Sequence, residues 1–170
     1  MTLASRIAPH LPYLRRFSRA TTGSQTSGDA YVAATLEALI ADTSIFPEGV
    51  NDRVGLYKLF STLFSSSAVR VPEPTSSFAW ELRAARNLAS LAPRQRQAFL
   101  LIAVEGFTRE EAADVLSVSP QEFGGLLDEA SVEISRQVAT DILIIEDEPL
   151  IARNACCWRE NQPHRVTGIA

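Results

Sequence analysis

The sequence predicts an all-α chain of two helical lobes followed by the start of an α/β unit, and three observations carry that prediction. Apolar residues recur at spacings of three and four through most of the chain, the period of a helix with one buried face. A serine- and proline-rich stretch, SSSAVRVPEPTSS at 65–77, breaks that pattern and reads as a linker. At Asp141 the period changes to ILII, an unbroken β-favouring run.

Residues 1–64 are expected to form the first lobe. Ile7, Leu11, Leu14 and Phe17 mark an amphipathic helix whose regular part begins near Leu11, because Pro9 and Pro12 stand before and beside it, and which ends by Thr21. TTGSQTSG reads as a loop, after which Asp29 is the expected cap of a helix with Val32, Leu36, Leu39 and Ile40 in one stripe. Phe46-Pro47-Glu48-Gly49 breaks it. Asn51 is the next cap, and Leu56, Leu59, Phe60, Leu63 and Phe64 follow at helical spacing.

The second lobe is expected over 78–139. FAWELRAARNLASL reads as a helix with Phe78, Leu82, Ala85 and Leu88 inward; Phe78 and Trp80, two apart, supply one core aromatic and one surface or interface aromatic. Pro93 opens RQRQAFLLIAVE at a position where its missing N–H costs nothing, and Gly106 can take the left-handed conformation that stops it. Thr108 with Glu111, and Ser119 with Glu122 behind Pro120, make two capping boxes eleven residues apart. The first opens a short helix, AADVLSV turns a corner, and the second opens a longer helix through Phe123, Leu126, Leu127, Ala130 and Ile134. Together they predict a helix-turn-helix.

Residues 140–152 read as a buried parallel strand with Glu146-Asp147-Glu148 at its C-terminal end and Pro149 opening a helix. About thirty residues remain, short of the several βαβ units of roughly 30 residues each that a doubly wound sheet needs, so no second strand is expected. The tail at 153–170, RNACCWRENQPHRVTGIA, has no usable period, and its composition suggests an out-of-frame reading or a premature stop.

Composition narrows the functional classes. A chain of 170 residues with 46% hydrophobic residues can bury a core. No window holds the ~18 uninterrupted apolar residues of a membrane span, and the N-terminus lacks a signal peptide's apolar run, so a cytoplasmic location is expected. Cys156 and Cys157 are neighbours, and a bridge between them would close no useful loop. The formal charge is −4 and the pI near 5.2, which repels a polyanion unless basic residues cluster. Arg6, Arg15, Arg16 and Arg19 do cluster, without one carboxylate in the first twenty residues, either as a solvated helix face or as a phosphate-binding patch. His10 and His164 have no cluster of metal-type ligands beside them. No Ser, Cys or Lys has a recognisable activating neighbour and no glycine-rich phosphate loop follows the strand, so no enzymatic activity is expected.

LAPRQRQAFLLIAVEGFTREEAADVLSVSPQEFGGLLDEASVEI resembles region 4 of sigma factors of the extracytoplasmic-function type. RIAPHLPYLRRFSRATTGSQTSGDAYVAATLEALIAD and ATDILIIEDEPLIA add a region 2-like segment before it and a response-regulator receiver start after it. That order is similar to the PhyR family, the general stress response regulators of alphaproteobacteria. The resemblance implies a sigma-factor mimic that acts as an anti-anti-sigma factor. Its direct partner is a NepR-like anti-sigma factor, its indirect partners are a sigma factor and a sensor histidine kinase, and it works as a monomer or heterodimer. An intact receiver of the family holds Mg²⁺ on two acids after its first strand. Glu146 and Asp147 match that pair, but without the remaining ligands and a phosphoacceptor they are expected to bind the ion weakly, so no cofactor is expected here.

Electrostatics points the same way. A groove-reading helix contacts phosphates and bases mainly through Lys, Arg and amide side chains. From Ser119 to Val138 there are four carboxylates, Glu122, Asp128, Glu129 and Glu133, against Arg136 alone, a net −3 that forfeits the phosphate term of affinity. No nucleic-acid or membrane partner is expected. The expected partner-contact residues are Glu122, Phe123, Leu126, Leu127, Glu129, Ala130 and Glu133. Gly124 and Gly125 cost this helix roughly 1 kcal/mol each relative to alanine, which fits close approach of a partner helix or simple tolerance of weak helix formers. A regulator that binds without phosphorylation, a working sigma factor or helix-turn-helix DNA-binding regulator, and an unstable truncation product with an open strand edge are the alternatives that follow.

Overall fold

The computed structural model describes residues 2–66, 87–138, 141–144 and 165–169. Helical structure starts before Leu11, because both prolines occupy the first positions of a helical turn, where a missing N–H leaves no bond unmade. Thr2 caps α1 (Leu3–Ile7), a 3-10 turn (Ala8–His10) carries Pro9, and α2 (Leu11–Thr22) runs on to a left-handed Gly23 with φ 70°. Ser24, extended just after that glycine, caps α3 (Gln25–Ala41) by accepting the Ser27 N–H at 3.3 Å. Thus TTGSQTSG is largely helical, and Asp29 lies a turn inside α3 instead of at its cap.

The physical reason is the approach of α2 to α3. A Cβ on Gly28 would stand 2.7 Å from the backbone of Arg19, and the Ser18 hydroxyl donates to the Gly28 carbonyl at 2.8 Å. Only glycine permits that approach, and it brings the Asp29 carboxylate onto Arg15 and Arg19. Val32 and Leu39 of the expected stripe are buried and Leu36 is half-buried, but Ile40 is 83% exposed.

After a 3-10 turn (Thr43–Ile45), Asn51 caps α4 (Asp52–Ser66) as its position predicts, its side-chain oxygen accepting the Arg53 N–H at 2.9 Å. Leu56, Leu59 and Phe60 are buried, with Leu63 and Phe64 packed against them. Phe17 meets Tyr57 at 5.2 Å and Phe60 at 5.6 Å between ring centroids, and Tyr31 meets Phe60 and Phe64, tilted and edge-on pairs that fix the α2, α3 and α4 faces.

Phe78, Trp80, Leu82 and Ala85 lie outside the described residues. Residues 87–89 are helical and Leu88 packs against the core. Pro93 opens α5 (Pro93–Ala103), and Gly106 takes φ 66° shortly beyond its end. Two further helices, α6 (Arg109–Leu116) and α7 (Pro120–Val138), complete the helix-turn-helix. Leu100, Leu101, Phe107, Ala112, Val115, Leu116 and Phe123 join the same buried cluster as Phe17, Tyr57 and Phe60. The two predicted lobes therefore share one core within a single compact unit, residues 1–130.

Polar groups cross the same contact. The Glu105 side chain, 0% exposed, accepts from Arg16 Nε at 3.1 Å and from the Tyr57 hydroxyl at 2.8 Å, with Arg53 at 3.6 Å. Arg53 lies 4.0 Å over the Phe107 ring and donates to the Glu105 carbonyl. Buried Arg96 donates to the carbonyls of Thr21, Ala89 and Leu91, and Lys58 reaches Asp114 at 2.6 Å.

Residues 131–170 form a second unit. The ILII run is β1 (Asp141–Ile144), as its composition predicts. The expectation that no second strand forms is wrong. Arg165–Ile169 is β2 and pairs with β1 in parallel, Asp141 opposite Arg165 and Ile144 opposite Ile169, with a register shift between Ile142 and Leu143. An isolated strand leaves its backbone donors and acceptors unpaired, and Val166, Thr167 and Ile169 supply a short β-branched partner that is hard to read in a segment without period.

Candidate partner-binding surface

The surface is built on the helix-turn-helix. Thr108 and Glu111 form the predicted box in full: the Thr108 hydroxyl accepts the Glu111 N–H at 3.2 Å and the Glu111 carboxylate accepts the Thr108 N–H at 2.9 Å. Ser117 turns the corner in the left-handed conformation, φ 53°, while its N–H and that of Val118 are taken by the Asp114 and Ala113 carbonyls at 3.0 Å. Ser119 then accepts the Glu122 N–H at 3.2 Å and starts α7. The Glu122 carboxylate lies 3.8 Å from Arg94.

The expected contact residues divide into two groups. Phe123 is 1% exposed and Ala130 fully buried, so these two are core residues and not part of a free surface; at the expected helical spacing they lie on the inward face of α7. Leu126 and Leu127 are half-buried against the core. Glu122 and Glu129 are exposed, the latter accepting from Gln95 of α5. Glu133 is half-buried and accepts from Arg136 and Gln137 on its own helix. Among the described residues, the outward face of α7 from Pro120 to Ala130 thus carries Glu122, Asp128 and Glu129 with no cation of its own. A Cβ added at Gly124 or Gly125 would meet nothing within 4 Å, so no internal contact accounts for these glycines.

The N-terminal arginines are each engaged by a carboxylate of the same chain. Arg6 pairs with Asp52, Arg15 and Arg19 with Asp29, and Arg16 with Glu105. The cluster is therefore a solvated helix face, with Arg6, Arg15 and Arg16 exposed, whose guanidiniums each hold a carboxylate of the same chain. Hydrogen bonds from Arg19 and Arg15 hold the Asp29 carboxyl well below the ordinary carboxylate range, and Arg6 lowers Asp52 in the same way. Sequence reading missed these carboxylate partners, and also Arg94 and Gln95, because the paired residues stand 10 to 89 positions apart with no periodic signal linking them. Glu146, Asp147, His164 and both cysteines lie outside the described residues. Among the described residues, no three His, Cys, Asp or Glu side chains gather as a metal site, and no helix is long and apolar enough to cross a membrane.

Comparison with known proteins locates both halves. The sigma2 domain of PhyR matches residues 7–61, and the sigma-like domain of the response regulator PhyR matches 88–137. The Phyllosphere-induced regulator PhyR of Methylorubrum extorquens is 42% identical over 170 residues, all of this chain and 63% of that protein, so the chain spans under two thirds of this relative's length. The crystallised anti-anti-sigma factor PhyR of Bartonella quintana, complexed with the anti-sigma factor NepR, is 51% identical with a TM-score of 0.84 over 99% of this chain and 64% of that one. The PhyRSL–NepR complex of Sphingomonas sp. Fr1 is 42% identical with a TM-score of 0.69, over 81% of this chain and 89% of that chain. With a helical fold, a helix-turn-helix and both family domains in order, this chain belongs to the PhyR family of response regulators with a sigma-like domain.

Proposed function

We propose that this chain is an anti-anti-sigma regulator of the general stress response, a sigma-factor mimic whose helical unit captures a NepR-type anti-sigma factor in the cytoplasm and thereby frees a sigma factor. It catalyses no reaction and needs no cofactor for that capture. The observation that carries this reading is the outward face of α7, which presents Glu122, Asp128 and Glu129 where a DNA-reading helix needs cations. Arg6, Arg15, Arg16 and Arg19 each hold a carboxylate of the same chain, which weakens the attraction of the other basic surface for phosphates. The relatives solved as NepR complexes support the choice of partner. Glu122, Glu129 and Glu133, with the half-buried Leu126 and Leu127, are the contacts this reading assigns on α7.

Titration calorimetry of the purified chain with a NepR-type polypeptide tests it. A one-to-one complex is expected. Absence of heat with that polypeptide, together with sequence-selective retention of duplex DNA at about 0.15 M salt, makes the chain a sigma factor or DNA-binding regulator instead.

A further inference from the structure

A cleft of about 470 Å³ opens where the end of α4 faces the start of α5 and the helix-turn-helix corner. Its polar wall includes Ser61, Thr62 and Ser66 of α4, Arg94 of α5 and Ser117 at the corner. No carboxylate lines it among the described residues. The Ser61 residue is 4% exposed, and its hydroxyl oxygen is buried with no hydrogen-bond partner. A buried hydroxyl left unsatisfied is costly, so the site is short of one polar group.

The wall specifies which group. Thr62 and Ser66 already donate their protons to the Lys58 and Leu63 carbonyls at 2.9 and 2.8 Å. Arg94 spends one N–H on the Leu116 carbonyl at 3.1 Å and keeps others for a ligand, its contact with Glu122 being loose at 3.8 Å. What remains on the wall is the Arg94 guanidinium with the Ser61 and Ser117 side chains, a set of donors with one positive charge, which matches an oxyanion. We propose that this cleft is an oxyanion subsite, filled by an acidic side chain of the anti-sigma polypeptide when that partner is bound. The choice of polypeptide rests on the function proposed above; the oxyanion chemistry does not. Arg94 lines the cleft and lies 3.8 Å from Glu122, so it joins the cleft to the first turn of α7.

Inorganic phosphate is the probe for the cleft and the NepR-type polypeptide is the competitor. Amide resonances of the full chain, followed by NMR during phosphate titration, are expected to shift saturably at Ser61, Thr62 and Ser117. Arg94→Gln is expected to abolish the shifts and to weaken polypeptide binding about tenfold, the size of a lost hydrogen bond to a charged group. Ser61→Ala is the folding control, because deleting an unpartnered hydroxyl leaves Tm unchanged or raised while phosphate affinity falls. Displacement of phosphate by the polypeptide supports its carboxylate as the occupant. Phosphate binding without displacement overturns that assignment in favour of a free anion. No phosphate shift, with Arg94→Gln binding the polypeptide within twofold of wild type, overturns the subsite altogether. A wild-type chain that ignores the polypeptide yet binds phosphate through Arg94 refutes the proposed function, and with it the polypeptide as occupant, while the oxyanion site stands.

Discussion

Tyr57 donates its hydroxyl proton to the Glu105 carboxylate at 2.8 Å, joining α4 to the turn after α5 across 48 positions of sequence. Burial foremost, and then the adjacent carboxylate, push the phenol above its ordinary range, so Tyr57 acts only as a donor. Glu105→Ala removes the acceptor and leaves Arg16 and Arg53 facing each other without compensation. A loss of about 3 kcal/mol is expected, the low end for a broken buried pair because Arg16 is half-exposed, and Tyr57→Phe is expected to cost about 1.5 kcal/mol. Urea denaturation of the two variants measures both; equal stability with wild type would show that the clasp contributes nothing.

Gly28 and Gly124 are both helical glycines with opposite surroundings. Gly28→Ala drives a methyl into the Arg19 backbone, and a net loss of about 2 kcal/mol is expected after the gain in helix propensity. Gly124→Ala and Gly125→Ala meet open space, and each is expected to stabilise the chain by about 0.5–1 kcal/mol. If a partner helix approaches α7 there, the same two substitutions lower partner affinity while raising Tm, a divergence that calorimetry and melting together reveal.

Asp29 gives the pH dependence. Its carboxyl is lowered in the folded state by hydrogen bonds from Arg19 and Arg15, so the stability it contributes is present above the unfolded value near 4 and is lost as pH falls through the lower folded value. Tm is expected to fall below pH ~4, more gently in Asp29→Asn than in wild type. Parallel slopes for the two proteins would remove Asp29 from the explanation.

The capping boxes are unequal. Thr108 holds both reciprocal bonds, whereas the Glu122 carboxylate faces Arg94. Thr108→Ala is expected to cost about 1 kcal/mol. Glu122→Ala, whose carboxylate and partner guanidinium are both about half exposed, should change Tm hardly at all.

Reversing the charge of α7 tests its electrostatic role. Glu122→Arg, Asp128→Arg and Glu129→Arg combined are expected to create non-specific duplex binding whose log affinity falls with log salt, by a slope of about −0.9 per phosphate neutralised. Wild type should show no such binding at about 0.15 M salt. Strong wild-type retention would return the DNA-binding account to first place.

Local rules made much of this molecule legible from the residues. The Asn51 cap, Pro93, Gly106, the Thr108–Glu111 box and the ILII strand each depend on atoms within a few positions, so spacing alone located α4, α5, α6, α7 and β1, and the carboxylates of α7 were visible before any fold was known. The start of α3 was misplaced for a non-local reason: Gly28 is needed for an inter-helix approach, and that approach, not a cap, gives Asp29 its role. Phe123 and Ala130 looked like surface contacts because periodicity marks an apolar face without saying what will cover it. Only the tertiary structure decided that Arg6, Arg15, Arg16 and Arg19 each pair with a carboxylate of this chain, that both helical halves share one core, and that Ser61, whose buried hydroxyl has no hydrogen-bond partner, lines the same cleft as Arg94. Charge and hydrophobicity are properties of single residues, but pairing and burial belong to residues that the chain brings together from 10 to 89 positions apart, and only folding makes those neighbours.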